Sequence, residues 1–142
     1  MRIIHTLVVH CTATPENRPH TVEDIRRWHK AQGWSDIGYH YVVYLDGTVH
    51  AGRPVNQIGA HVAGKNTGSI GVVYVGGCDV NMKPKDTRTP AQKTALRQLL
   101  SDLVNKYDIK TLVGHRDSDQ KKACPSFDAK AEYADLVKGG AK

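Results

Sequence analysis

Two histidines and a cysteine are the residues of this chain best suited to metal chemistry. His10 closes the apolar run 3–10, His115 closes a second apolar run over 111–115, and Cys124 lies between an alanine and a proline. Two imidazoles and one thiolate are three zinc ligands, and a hydrolytic zinc site keeps a fourth position open for water. If the three side chains converge, we expect a zinc hydrolase.

The spacing alone leaves this convergence open. His10 is far from the other two residues in sequence, and no short metal motif such as H-E-x-x-H is present. The chain has eight histidines, so surface or hydrogen-bonded histidines without a metal are the alternative interpretation. Both histidines end predicted strands, where functional sites often gather and where polar residues also occur because the core stops.

Length and composition indicate an ordinary globular protein. The 142 residues, 39% of them hydrophobic and 24% charged, fit one domain over 1–142. No apolar stretch is long enough to cross a membrane, and the N-terminus lacks the apolar region of a signal peptide. Three cysteines without close pairs favour free thiols in a reducing compartment. We therefore expect a cytoplasmic protein without membrane insertion.

The net charge of +6 favours an anionic partner, such as nucleic acid, a bacterial wall polymer or a membrane surface. The basic residues are scattered, so solubility alone also accounts for the charge. No nucleic-acid-binding motif or interleaving of aromatic and basic residues is present, and we expect no nucleic-acid partner.

The hydrophobic pattern predicts a mixed sheet with helices against it. Helices are expected to begin at the capping residues Thr21 and Thr89, the first ending at Gly33, and a short last helix is expected over 128–137. Strands are predicted over 3–10, 39–45, 48–50, 69–75 and 111–115, with loops over 51–69 and 78–88. The fold class is therefore α/β (mixed α+β), with a single central mixed sheet packed by about three helices.

Alternation along strands predicts which side chains share a face. Cys11 should point away from whatever His10 binds and act as a small apolar core residue. His40 adjoins Tyr39 and should face the other way, outside the site. His29 is expected to pack the first helix against the sheet.

Four segments, in this order and spacing, together resemble the zinc-dependent N-acetylmuramoyl-L-alanine amidases. The similarity extends over residues 6–128. Within this family, the pattern of motifs resembles that of phage endolysins of the lysozyme-named type and, more distantly, that of animal peptidoglycan recognition proteins. The segments are 6–14 around His10, 36–53 with Asp-Ile-Gly-Tyr-His-Tyr and Asp-Gly-Thr-Val, 59–72 with Gly-Ala-His and Ser-Ile-Gly-Val, and 114–128 with Gly-His-Arg-Asp and Ala-Cys-Pro-Ser-Phe-Asp.

The resemblance implies that His10, His115 and Cys124 hold one zinc ion. It also implies that Tyr39 and Lys122 face the open position of the metal and stabilise the oxyanion or assist proton transfer. The implied reaction is hydrolysis of the amide between the lactyl group of N-acetylmuramic acid and the L-alanine of the stem peptide. Apart from the resemblance, Tyr39 could be a half-buried strand tyrosine and Lys122 a solvated surface lysine.

The resemblance also suggests substrate-binding roles for His61 and Asn66, although a loop histidine without a role is an equal alternative. Many members of this family have an aspartate as the third ligand. Cys124 matches the endolysin and recognition-protein subset, and a thiolate suits zinc well.

The sequence is also compatible with two further functions. One is a non-catalytic peptidoglycan-binding module on the same fold, but relatives that only bind have typically lost a metal ligand, most often the cysteine. The presence of Cys124, Tyr39 and Lys122 favours catalysis. The other is regulatory, since some phage amidases of this type also bind their phage's RNA polymerase. We expect a monomer that acts on bacterial peptidoglycan and stays in the cytoplasm until it is released to the wall.

Overall fold

A five-stranded mixed sheet lies at the centre of the protein, as seen in a computed structural model that describes residues 2–119 and 121–140. In these residues the strands are β1 (Thr6–Cys11), β2 (Thr14–Pro15), β3 (Tyr41–Val43), β4 (Val49–Ala51), β5 (Ser69–Tyr74), β6 (Gly77–Cys78) and β7 (Thr111–Gly114). The main sheet has the order β4-β3-β5-β1-β7, and β2 pairs with β6 separately. Only β4 runs antiparallel to its neighbour, so the predicted mixed sheet is confirmed.

Helices cover both faces of the sheet, as the predicted α/β class requires. They are α1 (Val22–Ala31), α2 (Pro90–Lys106), α3 (His115–Ser118), α4 (Ala129–Glu132) and α5 (Ala134–Gly140). The predicted last helix over 128–137 is found as two short helices, α4 and α5, separated at Tyr133, whose side chain is buried in the core. None of the helices in the described ranges has both the length and the apolar character needed to cross a bilayer.

The two long helices begin where the capping residues predict. The Thr21 hydroxyl accepts a hydrogen bond from the Asp24 backbone N–H, and the Asp24 carboxylate accepts one from the Thr21 N–H. Thr89 and Gln92 form the same reciprocal pair at the start of α2. Gly33 follows α1 with a positive φ of 95°, a conformation that favours glycine. These boundaries depend on local contacts, which is why the sequence predicts them.

The sheet separates two apolar clusters. Leu7, Val9 and Cys11 on one face of β1 pack in a cluster with α2, whose members include Leu96, Leu100, Leu103 and Val104. On the other face, the second cluster joins α1 to β3 and β5 through Val22, Ile25, Val42, Val73 and Val75. Cys11 is therefore a buried core residue, as predicted, and β1 is enclosed on both faces.

Strand boundaries differ from the prediction by one or more residues. The predicted strand 39–45 is reduced to β3, and the two-residue strands β2 and β6 were not predicted. β7 ends at Gly114, so His115 opens α3 and does not close the strand. β1 extends past His10 because Cys11 still pairs with Tyr74 of β5. Hydrogen bonding to a neighbouring strand decides these ends, and that partner lies far away in sequence.

The parallel pairing of β1 with β7 brings two distant segments together. Val9 pairs with Gly114, so the residues that follow them, His10 near the end of β1 and His115 directly after β7, lie close together. A Cβ at Gly114 would lie 2.7 Å from the Pro125 ring, so this glycine permits the segment after α3 to pack against β7.

Three hydrogen bonds join residues 124–126 to β5, β6 and α3. The Tyr74 hydroxyl donates to the Pro125 carbonyl at 2.6 Å, and the Ser126 hydroxyl donates to the Gly77 carbonyl at 2.8 Å. The Arg116 N–H donates to the Cys124 carbonyl at 2.8 Å. The loop that carries Cys124 is therefore held in place by β5, β6 and α3.

The buried Arg88 contacts the segment that follows Cys124. Arg88 donates charge-assisted hydrogen bonds to Asp86 and Glu132, and one to the Tyr133 hydroxyl. Its guanidinium lies 3.4 Å from the ring centroid of Phe127, close enough for a cation–π contact. The network ties the 86–88 segment, the Cys124 loop and α4 into one unit.

We expect Arg88→Met to lower the free energy of unfolding by about 2 kcal/mol, because buried charge-assisted hydrogen bonds are lost. Arg97→Met is the matched control, since Arg97 pairs with Asp135 at the surface, where both side chains are about half exposed. That substitution should change stability by less than about 0.5 kcal/mol. Urea denaturation of both variants measures the difference, and equal losses would contradict the assigned role of Arg88.

Candidate metal centre

The structure brings His10, His115 and Cys124 together near the carboxyl ends of β1 and β7. Their ligand atoms all lie within 4.8 Å of one another. The Nδ1 of His10 is 3.8 Å from the Sγ of Cys124, whereas two such ligands on a tetrahedral zinc ion are separated by about 3.5 Å. The donor types therefore fit zinc, and the His10 and Cys124 ligand atoms are within a few tenths of an ångström of the separation that zinc requires.

Each of the three residues is positioned by a different element. His10 lies on β1 and is 1% exposed, while His115 is the first residue of α3, directly after β7. Their ring centroids are 4.8 Å apart. Cys124 comes from the anchored loop after α3 and is half-buried. The site therefore depends on contacts between segments that are distant in sequence.

Cys124 also contacts the strand that carries His10. The Cys11 backbone N–H donates to the Cys124 sulfur at 3.1 Å. Although Cys11 packs in the core, the expectation that it lies apart from the site is wrong, because Cys124 approaches from the side of β1 that Cys11 faces. The contact with the Cys11 thiol, together with burial, raises the pKa of the Cys124 thiol. A metal ion would reverse this shift by binding the thiolate.

Burial keeps the two histidines of the cluster neutral. Desolvation lowers the pKa of His10 well below its usual value, and the neighbouring His61 and His115 add to this effect. Desolvation and then the charge of Lys122 lower the pKa of His115. Neutral imidazoles have a free lone pair for a metal ion.

Tyr39 lies beside the cluster. Its ring centroid is 5.0 Å from that of His10 and 5.4 Å from that of His29, which packs behind it. His29 also joins α1 to the sheet side as predicted, since its Nδ1 accepts a hydrogen bond from the Gly38 N–H. Burial raises the pKa of Tyr39, with the nearby Cys124 and Cys11 thiols adding to the effect. The phenol therefore stays protonated at neutral pH and can donate a hydrogen bond.

A cleft of about 470 Å³ opens next to His115. Lys122 lines this cleft and is itself exposed, so a bound molecule can reach both residues. The other lining residues are Trp34, Ala60, His61, Val62, Ala63, Asn66, Ser118 and Asp119. The cleft combines apolar walls with a cationic side chain, as small-molecule sites commonly do.

His61 and Asn66 form one wall of the cleft. The Nδ1 of His61 lies 2.8 Å from the Nε2 of His10, so His61 is in direct contact with the cluster. The Asn66 side-chain oxygen accepts hydrogen bonds from the backbone N–H groups of His61 and Val62, both at 2.9 Å. Asn66 thereby shapes the loop, and its binding to substrate stays a prediction.

Ser69 is a buried residue near the cluster that the sequence did not identify. The Ser69 hydroxyl lies 3.1 Å from the Nε2 of His61. His40, expected outside the site, does not join the three clustered residues, but its ring lies 5.9 Å from His61 and its Nδ1 accepts from the Gly71 N–H. Ser69 opens a fully buried strand, where a polar side chain is unusual, and this was the available signal.

Comparison with known proteins gives consistent results. The model of the protein family described as N-acetylmuramoyl-L-alanine amidase matches residues 1–127. The endolysin of Klebsiella phage KP32 is 48% identical over 124 residues, which are 87% of this chain and 82% of that protein.

Solved structures show the same architecture. The N-acetylmuramoyl-L-alanine amidase LysC from Clostridium intestinale URNW superposes with a TM-score of 0.81 at 34% identity, covering 95% of this chain and 86% of the other. Drosophila PGRP-LB superposes with a TM-score of 0.76 at 27% identity, covering 94% and 81% of the two chains. The similarity to both endolysins and peptidoglycan recognition proteins agrees with the sequence motifs.

Proposed function

Because this chain belongs to the N-acetylmuramoyl-L-alanine amidase family, we propose that its activity depends on one zinc ion (Zn2+) held by His10, His115 and Cys124. The chain is an amidase of the endolysin type and hydrolyses the amide between the lactyl group of N-acetylmuramic acid and the L-alanine of the peptidoglycan stem peptide. The observation that carries the zinc proposal is the approach of the three ligand atoms to within 4.8 Å.

The chemistry divides between the ion and the surrounding side chains. Bound by two neutral imidazoles and one thiolate, zinc would keep a positive charge, polarise the scissile carbonyl and lower the pKa of water. The protonated Tyr39 hydroxyl donates a hydrogen bond to the oxygen of the scissile carbonyl, on which negative charge develops. Lys122 lines the cleft next to His115, and its ammonium stabilises that charge or supplies a proton to the leaving amine.

The alternative of a non-catalytic binding module has no specific support. The three candidate ligands, Tyr39 and Lys122 are all present, and the first three are already clustered. We infer that residues 1–142 form one catalytic domain that acts as a monomer on the bacterial cell wall after synthesis in the cytoplasm. Binding to a phage RNA polymerase stays a prediction from the family resemblance.

We expect Cys124→Ser to abolish zinc binding while the protein stays folded, because a hydroxyl is a much weaker zinc ligand than a thiolate. Cys78→Ser is the matched control, since Cys78 is a buried free thiol that is absent from the three-residue cluster. It should retain one zinc ion per chain. Elemental analysis and circular dichroism of both variants provide the measurement, and a full zinc content in Cys124→Ser would refute the proposed ligand set.

We expect Lys122→Ala to retain zinc but to lower kcat by roughly 10²–10³-fold, the usual effect of removing a group that stabilises the developing negative charge. Lys121→Ala removes an exposed neighbouring lysine and should change kcat less than about twofold. Steady-state hydrolysis of a synthetic muramoyl peptide, with zinc content measured on the same samples, separates the two. Equal rates for both variants would make Lys122 an ordinary surface residue.

A further inference from the structure

A buried chain of hydrogen bonds leads away from the metal centre. The Nε2 of His10 lies 2.8 Å from the Nδ1 of His61, and the Nε2 of His61 lies 3.1 Å from the Ser69 hydroxyl. That hydroxyl in turn lies 2.8 Å from the Lys65 carbonyl oxygen. His10, His61 and Ser69 are all buried, so water does not replace these contacts.

The Lys65 carbonyl, at the end of this series of hydrogen bonds, fixes the direction of each bond. The Lys65 carbonyl can only accept, so the Ser69 hydroxyl donates to it and uses a lone pair to accept from His61. With the reverse orientation, two oxygens would face each other at 2.8 Å without a proton between them. The second oxygen near this hydroxyl, the Asn66 carbonyl at 3.3 Å, is also an acceptor and favours the same direction.

The direction of the bond to Ser69 in turn determines which nitrogen carries the proton in His61 and in His10. A neutral imidazole has one N–H, so a His61 that donates from Nε2 must accept at Nδ1. His10 therefore donates from Nε2, and its Nδ1 holds the free lone pair. This is the nitrogen that lies 3.8 Å from the Cys124 sulfur.

We propose that His61 is a positioning residue that fixes His10 in the tautomer able to bind zinc through Nδ1. The proposal rests on the zinc site proposed above. Second-layer partners that accept a hydrogen bond from a ligating histidine orient its ring and select its tautomer. In most metal sites that partner is a carboxylate or a carbonyl, whereas here it is a second histidine whose own orientation is set by Ser69.

Two glycines show that the fold accommodates His61 in this position. A Cβ at Gly71 would lie 2.6 Å from the Cγ of His61, and a Cβ at Gly59 would lie 2.9 Å from its Cδ2. The backbone N–H of His61 is held by Asn66 at the same time. Both ring nitrogens are already engaged within the protein, so we assign His61 to positioning His10 and not to hydrogen bonding with the substrate.

The test uses two variants of nearly equal shape, His61→Asn and His61→Leu. The asparagine oxygen can take the place of Nδ1 and accept from His10, whereas leucine cannot, and both variants leave Ser69 without its histidine. Zinc affinity is measured by competition with a chromophoric chelator. The His10 tautomer is measured in the metal-free wild type and variants by the ¹⁵N chemical shifts of the imidazole nitrogens.

We expect the metal-free wild type to have the His10 proton on Nε2. His61→Leu should mix the two tautomers and weaken zinc binding by roughly 10–100-fold, and His61→Asn should restore most of that affinity. A wild-type proton on Nδ1, or equal zinc affinities for the asparagine and leucine variants, would overturn the inference while leaving the zinc site intact. A wild type that binds no zinc would overturn the proposed function itself. If His61→Leu does not fold, the wild-type tautomer and the His61→Asn affinity still decide the question.

Discussion

The parallel pairing of β1 with β7 is the contact on which the candidate metal centre depends. Because Val9 pairs with Gly114, His10 and His115 emerge side by side although more than half the chain separates them. A slip of one residue in this register would turn one of the two side chains to the opposite face of the sheet. The third residue, Cys124, reaches the same place only because the loop after α3 is held against the strands by Tyr74 and Ser126.

Burial connects the fold to the chemistry of the site. The same desolvation that makes β1 part of the core keeps His10 neutral, with its lone pair available, and keeps the Tyr39 hydroxyl protonated. Lys122 contributes the opposite property, since it stays exposed at the cleft and retains its contact with water. Two buried, neutral imidazoles and an open cleft lined by a cationic side chain together suit a reaction in which negative charge develops on the substrate.

Several features were predictable from the sequence because their signals are local. The Thr21 and Thr89 caps predicted both helix starts, and the apolar runs ending near His10 and His115 predicted the strands that carry them. The register that joins those strands was not predictable, because it depends on which segments pair. The break at Tyr133 and the contact of Cys11 with Cys124 depend on tertiary packing for the same reason. The family resemblance supplied the candidate roles of Tyr39 and Lys122, whereas the link from His61 to Ser69 became visible only in three dimensions.

We propose that the amidase activity of this chain requires a metal ion in the His10, His115 and Cys124 cluster. The most direct test of this proposal is mass spectrometry of purified peptidoglycan digested with the full chain, before and after metal removal by a chelator and after zinc is restored. We expect digestion to produce new L-alanine amino termini and to leave the glycan strands intact, and we expect this cleavage to stop when the metal is removed and to return when zinc is restored. Undiminished cleavage by protein shown to contain no metal would contradict it.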